Sequence, residues 1–222
     1  LVMFVHLAER PELSFGLQAE YINGGRIYTT PEGNKYSSVT TVLGELSKAG
    51  IQKWRNSIGE EEANKITGKA SRRGTRLHSI CESYIKNEDG YLEGQLPDVL
   101  AMFQSIEPIF KRINNVHGVE LGLYSDHLGL AGRTDLIAEF DGRLSVIDYK
   151  SSAKTKKYEY CYNYFAQCSA YAIMYEERTN IPIDQVVIIV AVDSDEPQLF
   201  IEKRDSWVHR IWEAKKMYRE NH

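Results

Sequence analysis

Gly132-Arg133-Thr134-Asp135-Leu136-Ile137-Ala138-Glu139-Phe140-Asp141-Gly142-Arg143-Leu144-Ser145-Val146-Ile147-Asp148-Tyr149-Lys150 reads as two apolar-rich runs joined by Asp141-Gly142. Asp-Gly favours the two-residue type I′ turn, in which both central residues take positive φ. A turn that tight sets Phe140 opposite Arg143. Counting back along both strands then sets Asp135 opposite Asp148, and cross-strand partners share a face at close range. Side chains alternate along a strand, so Lys150 falls on the face of Asp148.

Two carboxylates held together repel unless a cation lies between them or one keeps its proton. With a lysine beside them, they supply what metal-assisted phosphodiester hydrolysis needs: oxygen ligands for a hard cation and a positive charge near the attacked phosphate. A plain exposed hairpin carrying surface charge is the competing reading.

Working outward, Val119–Tyr124 is expected as the strand before the hairpin and Tyr158–Arg178 as the helix after it. Gln185–Asp193 encloses Val-Val-Ile-Ile-Val-Ala-Val, a buried strand. Gln198–Glu202 is a short strand, and a closing helix runs from about Ser206 to Arg219, with Trp207, Ile211, Ala214 and Tyr218 on one stripe. Upstream, Leu17–Thr41 reads as short strands around the turn signals Asn23-Gly24-Gly25 and Pro31-Glu32-Gly33-Asn34. A Ser or Thr near Ser37–Thr41 then caps a helix, and Trp54 sits in the next short one. Gly59 to about Asn87 is helix-favouring but interrupted by Gly68 and Gly74, giving two helices or one kinked helix. Leu96 to about Asn114 is another helix. The whole is an α/β (α+β) core with a mostly helical first half packed over it. The chain is expected as a single domain over 1–222, with 1–116 a hairpin and helical wall and 117–222 the core.

Other side chains gather in sequence near the hairpin. His78 and Glu82 lie one helical turn apart, preceded by Arg72, Arg73 and Arg76. Those cations could meet phosphates, as could free amides if a helix starts after Gly74. The bland alternative is a solvated helix face. Gln167 and Tyr171 share a helix face, extended by Tyr164 and Tyr160. They could touch phosphate or bases, or simply form a half-buried aromatic stripe. Glu120 is either a third acid or an edge charge. Asp126 and His127 belong to a turn.

The composition is that of an ordinary globular chain, with net charge −4 over 222 residues. That balance argues against a protein that coats nucleic acid nonspecifically, but not against a nuclease with an acidic site. No apolar stretch is long enough to span a bilayer. The three cysteines, Cys81, Cys161 and Cys168, are too few for a disulfide framework or a four-cysteine iron–sulfur site. Leu1–Leu13 lacks the basic start and apolar block of a signal peptide. Together these suggest a cytoplasmic protein of a bacterium or phage-infected host, or a mitochondrial matrix protein if a transit segment is missing. No Walker loop, dinucleotide fingerprint or nucleophile elbow occurs.

The ordered set His78, Glu120, Gly132-Arg133-Thr134-Asp135, Asp148-Tyr149-Lys150 and Gln167-Cys168-Ser169-Ala170-Tyr171 resembles the RecB-like branch of the PD-(D/E)XK nucleases. The match spans Lys69 to Tyr175. Tyr36-Ser37-Ser38-Val39-Thr40-Thr41-Val42-Leu43, Trp54 and the Gly74–His78 segment are similar to the mitochondrial genome maintenance exonuclease family and its phage-encoded relatives, where a proline often stands in place of Ser37. The resemblance implies a restriction-endonuclease-like mixed sheet and a Mg2+- or Mn2+-dependent exonuclease that acts on single-stranded DNA with free ends, as a monomer, in DNA replication, repair or recombination. It further implies that Asp135, Asp148, the Tyr149 carbonyl and His78 hold the metal. Lys150 would orient or activate water or stabilise the transition state, and Gln167 and Tyr171 would position the scissile strand. A site-specific endonuclease on the same fold and a non-cutting binding module are the other readings.

Overall fold

The computed structural model describes residues 3–7 and 16–222, so most of the Leu1–Leu13 stretch lies outside the described residues. The hairpin is β5 (Leu130–Phe140) and β6 (Arg143–Ser152). Its turn residues Asp141 and Gly142 have φ of 51° and 78°, as a type I′ turn requires. The Arg112 guanidinium grips the Asp141 carboxylate at 2.6 Å and stays its turn. Phe140 pairs with Arg143, and the ladder runs as far as Leu136 with Ile147.

Five further strands and a long neighbour complete a mixed sheet of eight among the described residues. β7 (Gln185–Val192) lies parallel to β6 and is buried on both faces, which is why its sequence is a near-continuous Val/Ile run. β8 (Gln198–Lys203) closes that side antiparallel to β7. On the other side β4 (Ile113–Ser125) runs antiparallel along the whole of β5, with register shifts between Asn114 and Gly118. The first strands, β1 (Gln18–Ile22), β2 (Gly25–Thr29) and β3 (Lys35–Ser38), form an antiparallel run. β3 then joins β5 in parallel, Ser37 beside Leu130 and Ser38 beside Ala131.

That last pairing creates the feature on which the site depends. β4 occupies one edge of β5. The other edge is shared: β6 takes Leu136–Phe140 and β3 takes Leu130–Ala131. Gly132 to Asp135 fall between them and have no strand partner on that edge among the described residues. Meanwhile β6 continues past Ile147 in company with β7 alone, to Ser152 beside Val192. The hairpin therefore forks where its carboxylates are.

Helices cover both faces. α2 (Glu60–Ile85) and α3 (Pro97–Phe110) bury Leu77, Ile80, Phe103 and Phe110 against Phe140, Ile147 and Tyr149. α1 (Val39–Ile58), α4 (Tyr162–Thr179) and α5 (Val208–Asn221) bury Val42, Phe165, Tyr175 and Ile211 against Ile137, Val146 and Ile188. Ser38 caps α1 by accepting from the Thr41 amide at 3.1 Å. Among the described residues no helix is long and apolar enough to cross a membrane.

Several boundaries differ from the sequence expectation. Trp54 lies within α1 itself, a single helix of 20 residues ending at Gly59, whose φ is 89°. α2 runs unbroken through Gly68 and Gly74, so neither glycine splits it. A helix-interior glycine costs about 1 kcal/mol. Three glutamates in the first turn favour the positive end of the helix dipole, and the buried stripe Leu77–Ile80–Cys81–Tyr84 adds tertiary packing. Consequently there are no free helix-start amides after Gly74 to receive a phosphate. Tyr158–Cys161 is a 3-10 turn before α4, which removes Tyr160 from the helical face proposed for it. β4 begins at Ile113 because α3 ends at Phe110, four residues before the expected end.

Candidate active site

The fork exposes backbone groups that a ladder would satisfy, and a side chain replaces the missing strand. Asp135 Oδ2 accepts from the Tyr149 amide at 3.0 Å. A carboxylate thus sits in the sheet plane, in the position of a carbonyl. From the α2 face His78 closes on the same oxygen, its Nε2 3.1 Å away. The opposite ring nitrogen, Nδ1, faces the Gly74 carbonyl at 2.9 Å and therefore carries its proton there. The ring also meets Tyr149 edge-on, with centroids 5.8 Å apart.

On the α4 face Lys150 Nζ stands 2.8 Å from Asp148 Oδ2. It also donates to Gln167 Oε1 at 3.3 Å and lies 4.7 Å over the Tyr164 ring. Gln167 Nε2 in turn donates to the Tyr171 hydroxyl at 3.3 Å. Both helix side chains are largely hidden, Gln167 9% and Tyr171 2% exposed. They sit behind the lysine. Tyr171 can pack there only because residue 132 is glycine: a Cβ at that position would fall 2.6 Å from Tyr171 Cε1.

The charges are interlocked. Burial works to raise the Asp135 carboxyl, but the His78 hydrogen bond and the charges of His78 and Lys150 outweigh it and hold it below the usual range. Burial pushes Asp148 up to about 7 against the pull of Lys150, with Asp135 adding repulsion. Burial works to lower the pKa of both His78 and Lys150. For His78 the hydrogen bond to Asp135 and the two aspartate charges reverse that, raising it to about 9. For Lys150 the charges of Asp148 and Asp135 do the same, and it is raised. The two acids thus behave as a close pair whose mutual repulsion favours one proton between them.

A cleft of about 520 Å³ opens beside Asp135, lined by Ser71, Gly74, Thr75, His78, Ser79 and Glu82 of α2 and by Glu120 of β4. Glu120 has a φ of 50°, uncommon for a non-glycine residue. Burial and the nearby charges of Asp135 and Glu82 push its carboxyl up to about 7. Of the three arginines singled out in sequence, Arg73 is buried, and its Nε has no hydrogen-bond partner among the described residues. Arg72 and Arg76 are exposed, outside the cleft lining. The serines and threonine at 71, 75 and 79 were missed, although their spacing of four marks one helix face.

Would this set hold a metal? Asp148 Oδ2 is buried and, although ion-paired with Lys150, makes no well-directed hydrogen bond. An oxygen-only pair of acids suits a hard divalent cation rather than a soft one. Among the described residues no cluster of three or more His, Cys, Asp or Glu side chains is gathered for a metal. Magnesium needs no such cage, since it commonly takes one or two carboxylates and completes its shell with water and substrate phosphate. The donors fit on those terms. The cysteines lie elsewhere: Cys81 in the core under α2, Cys161 and Cys168 in the core under α4.

This fold belongs to a known class. Residues 41–207 match the family model of the PD-(D/E)XK nuclease superfamily, and the chain is a member of that superfamily. Its nucleases generally use divalent metals such as Mg2+. Within it, the chain is similar to mitochondrial genome maintenance exonuclease 1 of Mus musculus, 25% identical over 175 residues that cover 74% of this chain and 52% of the mouse protein. The Homo sapiens protein of the same name is 27% identical over 134 residues, 56% of this chain and 39% of its own. The chain thus spans about half or less of the length of these relatives. A solved structure, that of SSO0001, overlays with a TM-score of 0.36 at 11% identity, over 78% of this chain and 73% of the other.

Proposed function

We propose that this chain is a Mg2+- or Mn2+-dependent DNA exonuclease that acts on single strands with free ends. The observation that carries the reading is the fork, which brings Asp135, Asp148 and Lys150 together with His78 and Gln167 behind them. The names of the mouse and human relatives add the exonuclease reading.

In this reading Asp135, Asp148 and the Tyr149 carbonyl would hold the cation, and His78 would join them on giving up the Nε2 proton it shares with Asp135. When bound, the cation would lower the pKa of a water and neutralise the phosphate under attack. His78 and the Tyr149 amide fix Asp135 by hydrogen bonds, so the carboxylate is oriented before substrate arrives. Lys150 is held by Asp148 and Gln167 as an ammonium. It is placed to hydrogen-bond a phosphate oxygen and to stabilise the negative charge that grows there in the transition state. Tyr171 packs behind Gln167 and keeps that amide aimed at the lysine. α2 supplies one wall of the cleft, and the single strand is read as threading past it.

The test is digestion of end-labelled linear single-stranded DNA with Mg2+, wild type beside Lys150→Ala, with a circular single strand in parallel. Stepwise shortening of the linear strand by wild type alone, with circles intact, is the expected result. Discrete fragments from closed circles would replace this reading with an endonuclease. Binding without digestion in Mg2+ or Mn2+ would leave only a DNA-binding module.

A further inference from the structure

A second groove, of about 470 Å³, lies at the start of β5, just beyond the fork. It is lined by Ser37, Val42, Gly129 and Leu130 and by Trp212, Lys215, Tyr218 and Arg219 of α5. Leu130 and Asp135 are five positions apart on one strand, about 17 Å at ~3.3 Å per residue. Nothing in the nuclease mechanism uses these residues.

Three observations set this groove apart. Its charged lining residues are both cations, Lys215 and Arg219, in a chain whose net charge is −4. It displays an indole: Trp212 is 38% exposed, whereas the indoles of Trp54 and Trp207 are half-buried. The cation and the ring are already together, with Lys215 Nζ 4.7 Å from the Trp212 centroid and His127 edge-on at 5.9 Å. Burial lowers the Lys215 pKa, with Arg219 repulsion adding to it, and the ammonium donates to the Leu128 carbonyl. Among the described residues the groove lining holds no carboxylate for these cations, and an incoming phosphate would supply the negative partner. An exposed ring flanked by cations is the chemistry by which proteins bind single-stranded nucleic acid without reading sequence: bases stack and phosphates pair.

We propose that this groove is a second DNA contact, where a base of the single strand stacks on Trp212 while its phosphates meet Lys215 and Arg219. The proposal rests on the DNA-nuclease reading and extends it. The cleft opens on the α2 face and the groove on the α5 face, so the strand engaged in the cleft passes around the start of β5, and the groove grips it some nucleotides away from the bond being cut. The consequence is a length dependence. Short oligonucleotides engage the cleft alone, and longer ones engage both places.

The test uses the full chain in EDTA, so that binding is read without cleavage. Fluorescence anisotropy is measured with oligothymidylates of about four and about sixteen nucleotides, bracketing ordinary single-strand site sizes. Wild type should bind the longer one more tightly. Trp212→Ala should weaken that binding about tenfold, within the range measured for one stacked base, and leave the short one unchanged. Trp212→Tyr should restore most of it. Lys215→Ala combined with Arg219→Ala should lower the salt slope for the long oligonucleotide by about 1.4, two phosphates' worth for a single strand. Each variant is first required to melt like wild type. Long-oligonucleotide binding unchanged by these substitutions overturns the proposal, as does an equal loss for both lengths. The nuclease reading fails separately: a wild type that binds neither oligonucleotide and cuts nothing sinks both, while one that cuts but shows no length dependence sinks the groove alone.

Discussion

Gly132→Ala is the most informative single-atom perturbation of the site. The added Cβ would lie 2.6 Å from Tyr171 Cε1, 2.9 Å from its hydroxyl and 3.2 Å from Cζ. Carbon atoms rest at about 3.5–4.0 Å, so the ring must retreat by about 1 Å. Tyr171 is 2% exposed and packed in the core that α4 shares with the sheet. Overpacking of this kind costs about 1–3 kcal/mol, and removing a strand glycine returns about 0.5–1 kcal/mol. The net loss should be about 1–2 kcal/mol. Tyr171→Leu deletes all three clashing atoms at its own cost in packing. In that background Gly132→Ala should no longer destabilise, giving a coupling of about 2 kcal/mol by urea denaturation of all four proteins. Cleavage by Gly132→Ala should fall by more than its stability explains, because a displaced Tyr171 frees Gln167 and loosens Lys150. Additive effects within about 0.5 kcal/mol would refute the packing argument. Wild-type cleavage by Gly132→Ala would refute the link from Tyr171 to the lysine.

Ser38→Ala removes the cap of α1 and should destabilise by about 1 kcal/mol, with Ser38→Asp retaining most of the stability, measured by urea midpoint. Cys81, Cys161 and Cys168 are buried thiols whose pKa values burial raises, so they should react with a disulfide reagent only as fast as the protein unfolds; a fast native phase of one thiol would contradict that. The Tyr36 hydroxyl donates to Asp126 at 2.5 Å and is raised to about 12 by that bond. Its contribution to stability is therefore full below pH ~10 and fades as pH rises through about 12. Tyr36→Phe should flatten the decline in stability over that interval, and an unchanged pH profile would show the bond to be without effect.

The parts of this chain legible in its sequence are those fixed by local chemistry. Asp141-Gly142 dictates a turn type, the turn dictates a register, and the register brings Asp135 toward Asp148 before any long-range contact is known. What the register could not reveal is where the ladder stops. That depends on β3 arriving from far upstream to take the end of β5. The same limit hid the continuity of α2: two glycines are local signals to break, and the packing of Leu77 to Tyr84 against a distant sheet overrides them. Gln167 and Tyr171 were legible as a shared face but not as a buried prop for Lys150, because the close approach of Tyr171 to the sheet rests on the glycine at 132.

The fork also has a bearing on the order in which this chain can fold. The hairpin is a local structure that closes on itself across two residues, and such units form quickly. The hydrogen bonds that complete the fork are not local: His78 meets Asp135 across 57 positions, and Lys150 meets Gln167 across 17. β3 must travel further still to reach Leu130, and β7 joins β6 only through a parallel crossover. Loop closure of that kind is slow and is completed late. A chain emerging from synthesis can therefore bring its two aspartates side by side before His78, Gln167 and β3 are in place, and the fork is complete only in the finished fold.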